Sequence, residues 1–159
     1  MFNQKLDNIS PIICKINDVT YQKYHLYKKS YEREVFVIKD YGEDRGITNK
    51  SIALFEAVKD QFDRFKIAKI TKEINKDNIL LDSDLILIDK KGNELHLSGC
   101  SCGYAGTGSH GTVEILNKAG FEIDRRFVFC SKGFTLFHPN EEKKTLWRTF
   151  INRQQLYLF

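Results

Sequence analysis

The sequence predicts an α+β fold: an antiparallel or mixed sheet with hairpins near 84–98 and 125–137, on which two or three helices pack. Two observations predict the sheet, because apolar runs flank a short turn containing glycine at 90–93 and again at 131–133. A third observation predicts the helices, because apolar residues recur at spacings of three and four in two segments. A chain of 159 residues that is 42% hydrophobic has the size of a single globular domain, 1–159.

Three strands and one long helix precede the first hairpin or lead into it. Strands are predicted at 11–17, 34–39 and 66–74. The intervening segment 21–33 fits a strand and a helix equally well, and its tyrosines and basic residues form either a stacking surface or a solvated face. A helix is predicted over 49–65, with Thr48 or Asn49 as its N-cap.

The overall charge and composition limit the classes of partner. A formal net charge of +4 suits an anionic partner but is too small to indicate a nucleic acid. The sequence has no apolar segment long enough to span a membrane and begins without a signal-peptide core. We therefore expect a cytoplasmic protein with no membrane partner, whose four cysteines are reduced.

Five of the ten glycines lie between Gly99 and Gly111, directly after the second strand of the first hairpin. Glycine costs backbone entropy, so this density indicates positive φ angles or close approach of a ligand to the backbone. A second helix is predicted over 111–119, ended by Gly120 and Phe121. A glycine loop that leads into a helix N-terminus is typical of a phosphate-binding site.

The established phosphate-binding motifs match this loop poorly. A P-loop would need Lys and Ser or Thr after Gly108, where the chain has Ser109 and His110. The dinucleotide pattern G-x-G-x-x-G is matched from Gly106 to Gly111, but no acidic residue closes a second strand at the required distance. The loop therefore predicts an anion site without specifying its family.

The run from Gly103 to Gly111 resembles the G-Y-x-G-[ST]-G-x-x-G segment of small phage and bacterial proteins that have no assigned activity. Ser109 stands where those proteins often have proline. The resemblance covers about a dozen residues and implies a phage or mobile-element origin but no activity. Taken together with the predicted phosphate site, it leads to the hypothesis of an anti-defence protein that acts on a nucleotide immune signal.

The predicted ligand-binding site combines this loop with basic residues from other parts of the chain. The glycine amides would cradle a phosphate, hydroxyl groups would donate further hydrogen bonds, and the tyrosine ring would stack on a base. The loop residues are Cys102, Gly103, Tyr104, Gly106, Thr107, Gly108, Ser109, His110, Gly111 and Thr112. Arg45, Lys50, Arg125 and Arg126 are the candidates for neutralising the remaining charge.

The leading hypothesis is that the protein senses or sequesters a nucleotide-like phosphorylated small molecule through the glycine-rich loop 99–112, with no metal or other cofactor. One alternative is a nucleotide-processing hydrolase or transferase that uses His110 and Glu114 as acid and base. Another is an inhibitor that binds a partner protein and has no small ligand. A zinc site or a cysteine nucleophile at Cys100 or Cys102 would need supporting motifs that the sequence lacks.

The end of the chain is rich in large apolar residues. A helix is predicted over 142–153, followed by a short extension. So much apolar surface on so short a segment predicts a homo-oligomer.

Overall fold

The computed structural model describes residues 11–74, 76–77, 80–82 and 84–139. The elements in chain order are β1 (Ile12–Ile16), β2 (Val19–Lys28), β3 (Arg33–Asp40), α1 (Thr48–Val58), β4 (Phe65–Ile70), β5 (Lys72–Ile74), β6 (Leu80–Asp82), β7 (Leu85–Asp89), β8 (Glu94–Leu97), α2 (Thr107–Lys118), α3 (Arg125–Cys130) and β9 (Phe134–Phe137).

Seven strands form one mixed sheet in the order β1-β2-β3-β8-β7-β4-β9, and β5 and β6 pair separately. Every described pairing is antiparallel except that of β3 with β8. The predicted α+β class is therefore confirmed. None of the helices in the described part of the chain is long and apolar enough to span a bilayer.

The core lies on the face of the sheet that α1 and α2 cover. Alternate strand residues point to this face, as the pleat of a strand requires, and Ile38 and Leu95 are fully buried there with Leu54 and Ile115 from the two helices. The ring of Phe62 lies between those of Phe36 and Phe65. The two helices also contact each other, so the loops that precede them are held side by side.

The parallel pair β3 and β8 decides where those loops lie. Each of the two strands runs through a loop into a helix, β3 into α1 and β8 into α2. Because the carboxyl ends of parallel strands meet at the same edge of a sheet, both helices begin at this edge.

The first helix is shorter than the predicted 49–65. It ends at Val58, a 3₁₀ turn follows at Lys59–Gln61, and Phe65 already belongs to β4. The predicted cap was also wrong, because Ile47 is the N-cap residue and Thr48 is the first helical residue. The Thr48 side chain bonds a neighbouring loop instead of its own helix.

The second helix begins at Thr107, four residues before the predicted start. Its predicted end is confirmed: Gly120 has a φ of 94°, and the Phe121 amide donates to the Leu116 carbonyl at 2.9 Å. Phe121 is buried, as the hydrophobic contact after such a stop requires.

One of the two predicted hairpins is present. The segment 84–98 forms β7 and β8, and buried Asp89 accepts hydrogen bonds from the Lys91 and Asn93 amides in the turn. The prediction of a hairpin near 125–137 was wrong. Residues 125–130 form α3, and β9 pairs with β4. The Asp124 side chain caps α3 by accepting from the Arg126 amide, which fixes a helix where the apolar run alone fitted a strand.

Two further predictions concern the ends of the sheet and of the chain. The predicted strand 66–74 is divided between β4 and β5, which belong to different sheets, and the undecided segment 21–33 contains most of β2. The predicted helix 142–153, on which the expectation of a homo-oligomer rested, lies outside the described residues.

Candidate ligand-binding site

A cavity of about 460 Å³ lies between the loop that precedes α1 and the loop that precedes α2. Its wall consists of small, hydroxylic and glycine residues with one aromatic ring. These residues are Gly46, Thr48, Ser98, Gly99, Ser101, Tyr104, Thr107 and Gly108. The cavity therefore lies at the carboxyl ends of the two parallel strands, the edge at which ligands bind in open parallel α/β sheets.

A hydrogen-bond network behind the wall joins the two loops. The Ser98 amide donates to Asp40 Oδ2 at 2.9 Å, and the Ser51 hydroxyl donates to the same oxygen at 2.8 Å. The Gly99 amide donates to the Ser51 hydroxyl at 2.9 Å, and the Thr48 hydroxyl donates to the Gly99 carbonyl at 2.7 Å. Asp40 and Ser51 are fully buried, so the network is shielded from solvent and fixes the geometry of the cavity.

Two glycines allow the loops to approach this closely. A Cβ atom on Gly99 would lie 2.5 Å from the backbone of Ile47, and one on Gly111 would overlap the methyl group of Thr48. Neither glycine has a positive φ, so close packing is what requires them. Gly99 and Gly111 thus bring α2 and its loop against the start of α1.

Both helices begin at the cavity without a side-chain cap. The N-cap residues are Ile47 and Gly106, and neither has a side-chain hydrogen bond to its helix. The first bonds within the helices run from the Ser51 amide to Ile47 and from the His110 amide to Gly106. The amides of the first turns have no carbonyl one turn earlier in their own helix, so they form donor groups of the kind that bind anions.

Tyr104 covers the start of α2. A Cβ atom on Gly106 would overlap its ring, and its hydroxyl lies 2.9 Å from the Ser101 hydroxyl. The side chain is nevertheless 53% exposed and lines the cavity. It offers an aromatic surface to a planar ligand at the cavity mouth.

The cavity is free of charged side chains within the described part of the chain. Arg45 lies beside the lining residue Gly46 but faces Asp84 at 3.8 Å. Lys50 donates to the Asp18 carbonyl at 3.2 Å and lies 3.9 Å from Asp44. Neither Arg45 nor Lys50 lines the cavity, and both contact other groups.

Of the fourteen site residues predicted from the sequence, Tyr104, Thr107 and Gly108 line the cavity. Gly103 and Gly106 belong to the same loop but do not line the cavity. Gly103 has the only positive φ between residues 99 and 111. Gly108 and Gly111 are helical, so positive φ, one of the two reasons predicted for the glycine density, does not apply to them.

The remaining predicted loop residues point elsewhere. Ser109 and Thr112 are buried, Thr112 donating to the Ser101 carbonyl at 2.7 Å, and Cys102 is buried in the core. His110 is exposed, and its ring packs edge-on against Phe129. Neither His110 nor Glu114 lines the cavity.

The two arginines of α3 are not part of the cavity wall. Arg126 pairs with Asp124 at the start of α3, and both Arg125 and Arg126 are exposed. α3 approaches the glycine loop through its main chain instead, since the Gly103 amide donates to the Val128 carbonyl at 2.9 Å.

Five lining residues were not among the fourteen predicted site residues: Gly46, Thr48, Ser98, Gly99 and Ser101, of which Gly99 and Ser101 lie within the predicted binding loop 99–112. Their signal in the sequence is hydroxyl and glycine residues that follow both β3 and β8. That signal becomes interpretable only when the two strands are known to be parallel neighbours.

All four cysteines are free thiols, and Cys100 and Cys102 are buried. None of the four, which all lie in the described part of the chain, is in a disulfide. Burial, with the negative charge of Asp40 adding to it, raises the pKa of the Cys100 thiol to about 12, so the helix N-terminus does not activate it. Among the described residues, no group of three or more His, Cys, Asp and Glu side chains is placed to hold a metal ion.

Comparison with family models, curated proteins and solved structures finds no match to this chain. The function proposed below is inferred from the cavity itself.

Proposed function

We propose that the cavity binds the phosphate group of a nucleotide-like small molecule, which the protein senses or sequesters without converting it. The observation that carries the proposal is that two uncapped helix N-termini contribute their first residues, Thr48 and Thr107, to the wall of one cavity. The partial positive charge and the amide donors of both helices then act on the same small volume.

The chemistry of the wall supports an oxygen-rich ligand. Five of the eight lining residues carry a hydroxyl group, namely Thr48, Ser98, Ser101, Tyr104 and Thr107. Hydroxyl groups both donate and accept, which suits a phosphate and a ribose, but the Thr48 hydroxyl already donates its proton to the Gly99 carbonyl and can only accept from a ligand. A volume of about 460 Å³ lies in the usual range for a small-ligand pocket, and the exposed ring of Tyr104 suits a base.

Binding without turnover fits the cavity better than catalysis. The acid–base candidates His110 and Glu114 do not line it, and the Cys100 thiol is buried with a raised pKa. The resemblance of residues 103–111 to phage and bacterial segments favours a nucleotide signal of bacterial defence as the ligand.

Equilibrium dialysis against a panel of cyclic and NAD-derived nucleotides tests the proposal, with the ligand recovered from the denatured complex and identified by chromatography. We expect one intact nucleotide per chain. Thr107→Trp should abolish binding because an indole at this exposed first helical position fills the cavity. Thr135→Trp is the matched control, since Thr135 is an exposed residue of β9 that does not line the cavity.

Each other result has a distinct meaning. Recovery of a converted nucleotide would make the protein an enzyme. If no nucleotide of the panel binds, the result favours the alternative of an inhibitor that binds a partner protein. Binding by Thr107→Trp at the affinity of the unaltered protein would place the ligand outside this cavity.

A further inference from the structure

One row of side chains crosses six strands on the face of the sheet opposite to α1 and α2, which we call the outer face. The strand pairings place side by side Tyr24, Val37, Glu94, Ile88, Ile67 and Phe137. Ile38 follows Val37 in β3 and lies in the core, so the pleat of the strand directs Val37 and its row to the outer face. Glu94, the charged member of the row, pairs with Lys28. The rest of the row forms an apolar strip across the outer face.

Three side chains of the outer face are buried although they lie outside the core. Val35 and Val37 are each 1% exposed and Ile88 is 8% exposed, and none of the three belongs to the apolar cluster that the sheet forms with the helices. Side chains stand roughly perpendicular to a sheet, so neighbours on the same face surround a valine but do not lie over it. The helices α1, α2 and α3 all pack into the core on the opposite face. The burial of these three side chains therefore requires a further layer on the outer face.

The described chain ends where such a layer would begin. β9 is an edge strand, and Pro139, the last described residue, is helical, as suits a proline in the first turn of a helix. The helix predicted from the sequence over 142–153 would be about 18 Å long. Four strand spacings, from β9 over β4, β7 and β8 to β3, measure about 19 Å. A helix laid across the strands from the β9 edge would thus reach the valines of β3.

The sequence of the predicted helix has the pattern that this layer needs. Residues three and four apart lie on the same face of a helix, so one stripe contains Leu146, Trp147, Phe150 and Ile151. Asn152 falls on the opposite side of the helix. An amphipathic helix of this kind buries its stripe against apolar strand residues and leaves its polar side in water.

We propose that residues 140–159 form this layer within their own chain, with the apolar stripe packed over Val35, Val37 and Ile88. The apolar surface of the segment is then buried without a second copy of the chain. The outer face lies away from the cavity between the two loops, so the inference is independent of the ligand proposed for that cavity.

Trp147 is the only tryptophan of the chain, so its signals report on this segment alone. Nuclear Overhauser contacts are measured in the full-length protein with labelled valine and isoleucine methyl groups. We expect contacts from the rings of Trp147 and Phe150 to the methyl groups of Val37 and Ile88. Light scattering should give the mass of a single chain.

Phe150→Asp and Asn152→Asp place the same charge on opposite sides of the predicted helix. In the unaltered protein the emission of Trp147 should be blue-shifted from that of the urea-denatured protein, because the indole lies in an apolar environment. Phe150→Asp should abolish this shift and the methyl contacts, whereas Asn152→Asp should retain both. Circular dichroism shows whether the sheet of Phe150→Asp stays folded, and the contacts in the unaltered protein test the proposal without this variant.

Three other results would each overturn the proposal. Emission of Trp147 at the wavelength of the denatured protein, without methyl contacts, would show that the segment does not cover the sheet. Contacts from Phe2 or Leu6 to the same methyl groups, in place of those from Trp147, would assign the layer to residues 1–10. Contacts that appear only between differently labelled copies, with the mass of a dimer, would show that a second chain supplies the layer.

Discussion

The two strand–loop–helix units of the sheet have the same order of elements but build the cavity in opposite ways. The unit from β3 to α1 supplies side chains, namely the carboxylate of Asp40 and the hydroxyls of Ser51 and Thr48. The unit from β8 to α2 supplies mainly backbone, namely the amides of Ser98 and Gly99 and the Gly99 carbonyl.

This difference explains why glycines are concentrated in one unit. A backbone group can meet a buried side chain only if its own side chain leaves room. Gly99 and Gly111 give this room against Ile47 and Thr48, whereas the loop from 41 to 47 uses Gly42 and Gly46 for positive φ in open space. Apart from Gly103, which has a positive φ, the same residue type thus serves close packing in the second unit and backbone turning in the first.

Gly99→Ala gives the sharpest test of this distinction. The added methyl group would meet the backbone of Ile47, which cannot rotate away, so we expect a loss of about 3 kcal/mol in the free energy of unfolding. Gly42→Ala is the matched control, because it has a φ of 69° and open space around it and should lose only about 1 kcal/mol. Urea denaturation followed by circular dichroism measures both losses, and equal losses would refute the distinction.

The amino ends of the same parallel strands offer a second contrast, because an ion pair there takes the place of the network of hydroxyls and amides around Asp40. Glu94, the first residue of β8, pairs with Lys28 and lies 2.7 Å from a ring nitrogen of His96. Burial alone would raise the pKa of Glu94, but the hydrogen bond with His96 and the pairing with Lys28 lower it from 4.5 to about 2.

A carboxylate with a lowered pKa stabilises the fold above its unfolded pKa and loses that effect as the pH falls through the folded value. We therefore expect the free energy of unfolding to drop by roughly 2 kcal/mol between the ordinary pKa of a glutamate and the lowered one. Glu94→Gln should flatten this part of the pH profile, and Lys28→Met should reduce its slope. Denaturation midpoints measured from pH 5 to pH 2 test this expectation. If Glu94→Gln has the same pH profile as the unaltered protein, Glu94 is not the origin of the pH dependence.

The sequence predicts those features that depend on neighbouring residues. The β7–β8 hairpin follows from its turn, and the end of α2 follows from Gly120 and Phe121, because both signals are local. The segment 125–130 was assigned to the wrong class since its apolar run fits a strand as well as a short helix, and the Asp124 cap decides between them.

The site could be predicted only in part, because half of it depends on residues that are far apart in the chain. The glycine loop marks one half of the cavity, and Tyr104, Thr107 and Gly108 were found through it. The other half depends on contacts such as that between Ser98 and Asp40, which are 58 residues apart in the chain. Nothing in the local pattern shows that β8 pairs with β3, so the hydroxyl groups of the first loop could not be assigned to the site.

The smallest predicted effect concerns Gly111, where two opposing contributions nearly cancel. Alanine inside a helix is favoured over glycine by about 1 kcal/mol, but here its methyl group would overlap that of Thr48. We expect Gly111→Ala to lose about 1 kcal/mol in the free energy of unfolding, since the overlap outweighs the helix preference.

Thr48→Ser removes only the opposing methyl group and keeps the hydroxyl that donates to Gly99. In that background Gly111→Ala should stabilise the protein by up to about 1 kcal/mol, which gives a coupling energy of about 2 kcal/mol in a double-mutant cycle. Additive effects would show that Gly111 is required for some reason other than the close approach of α2 to α1.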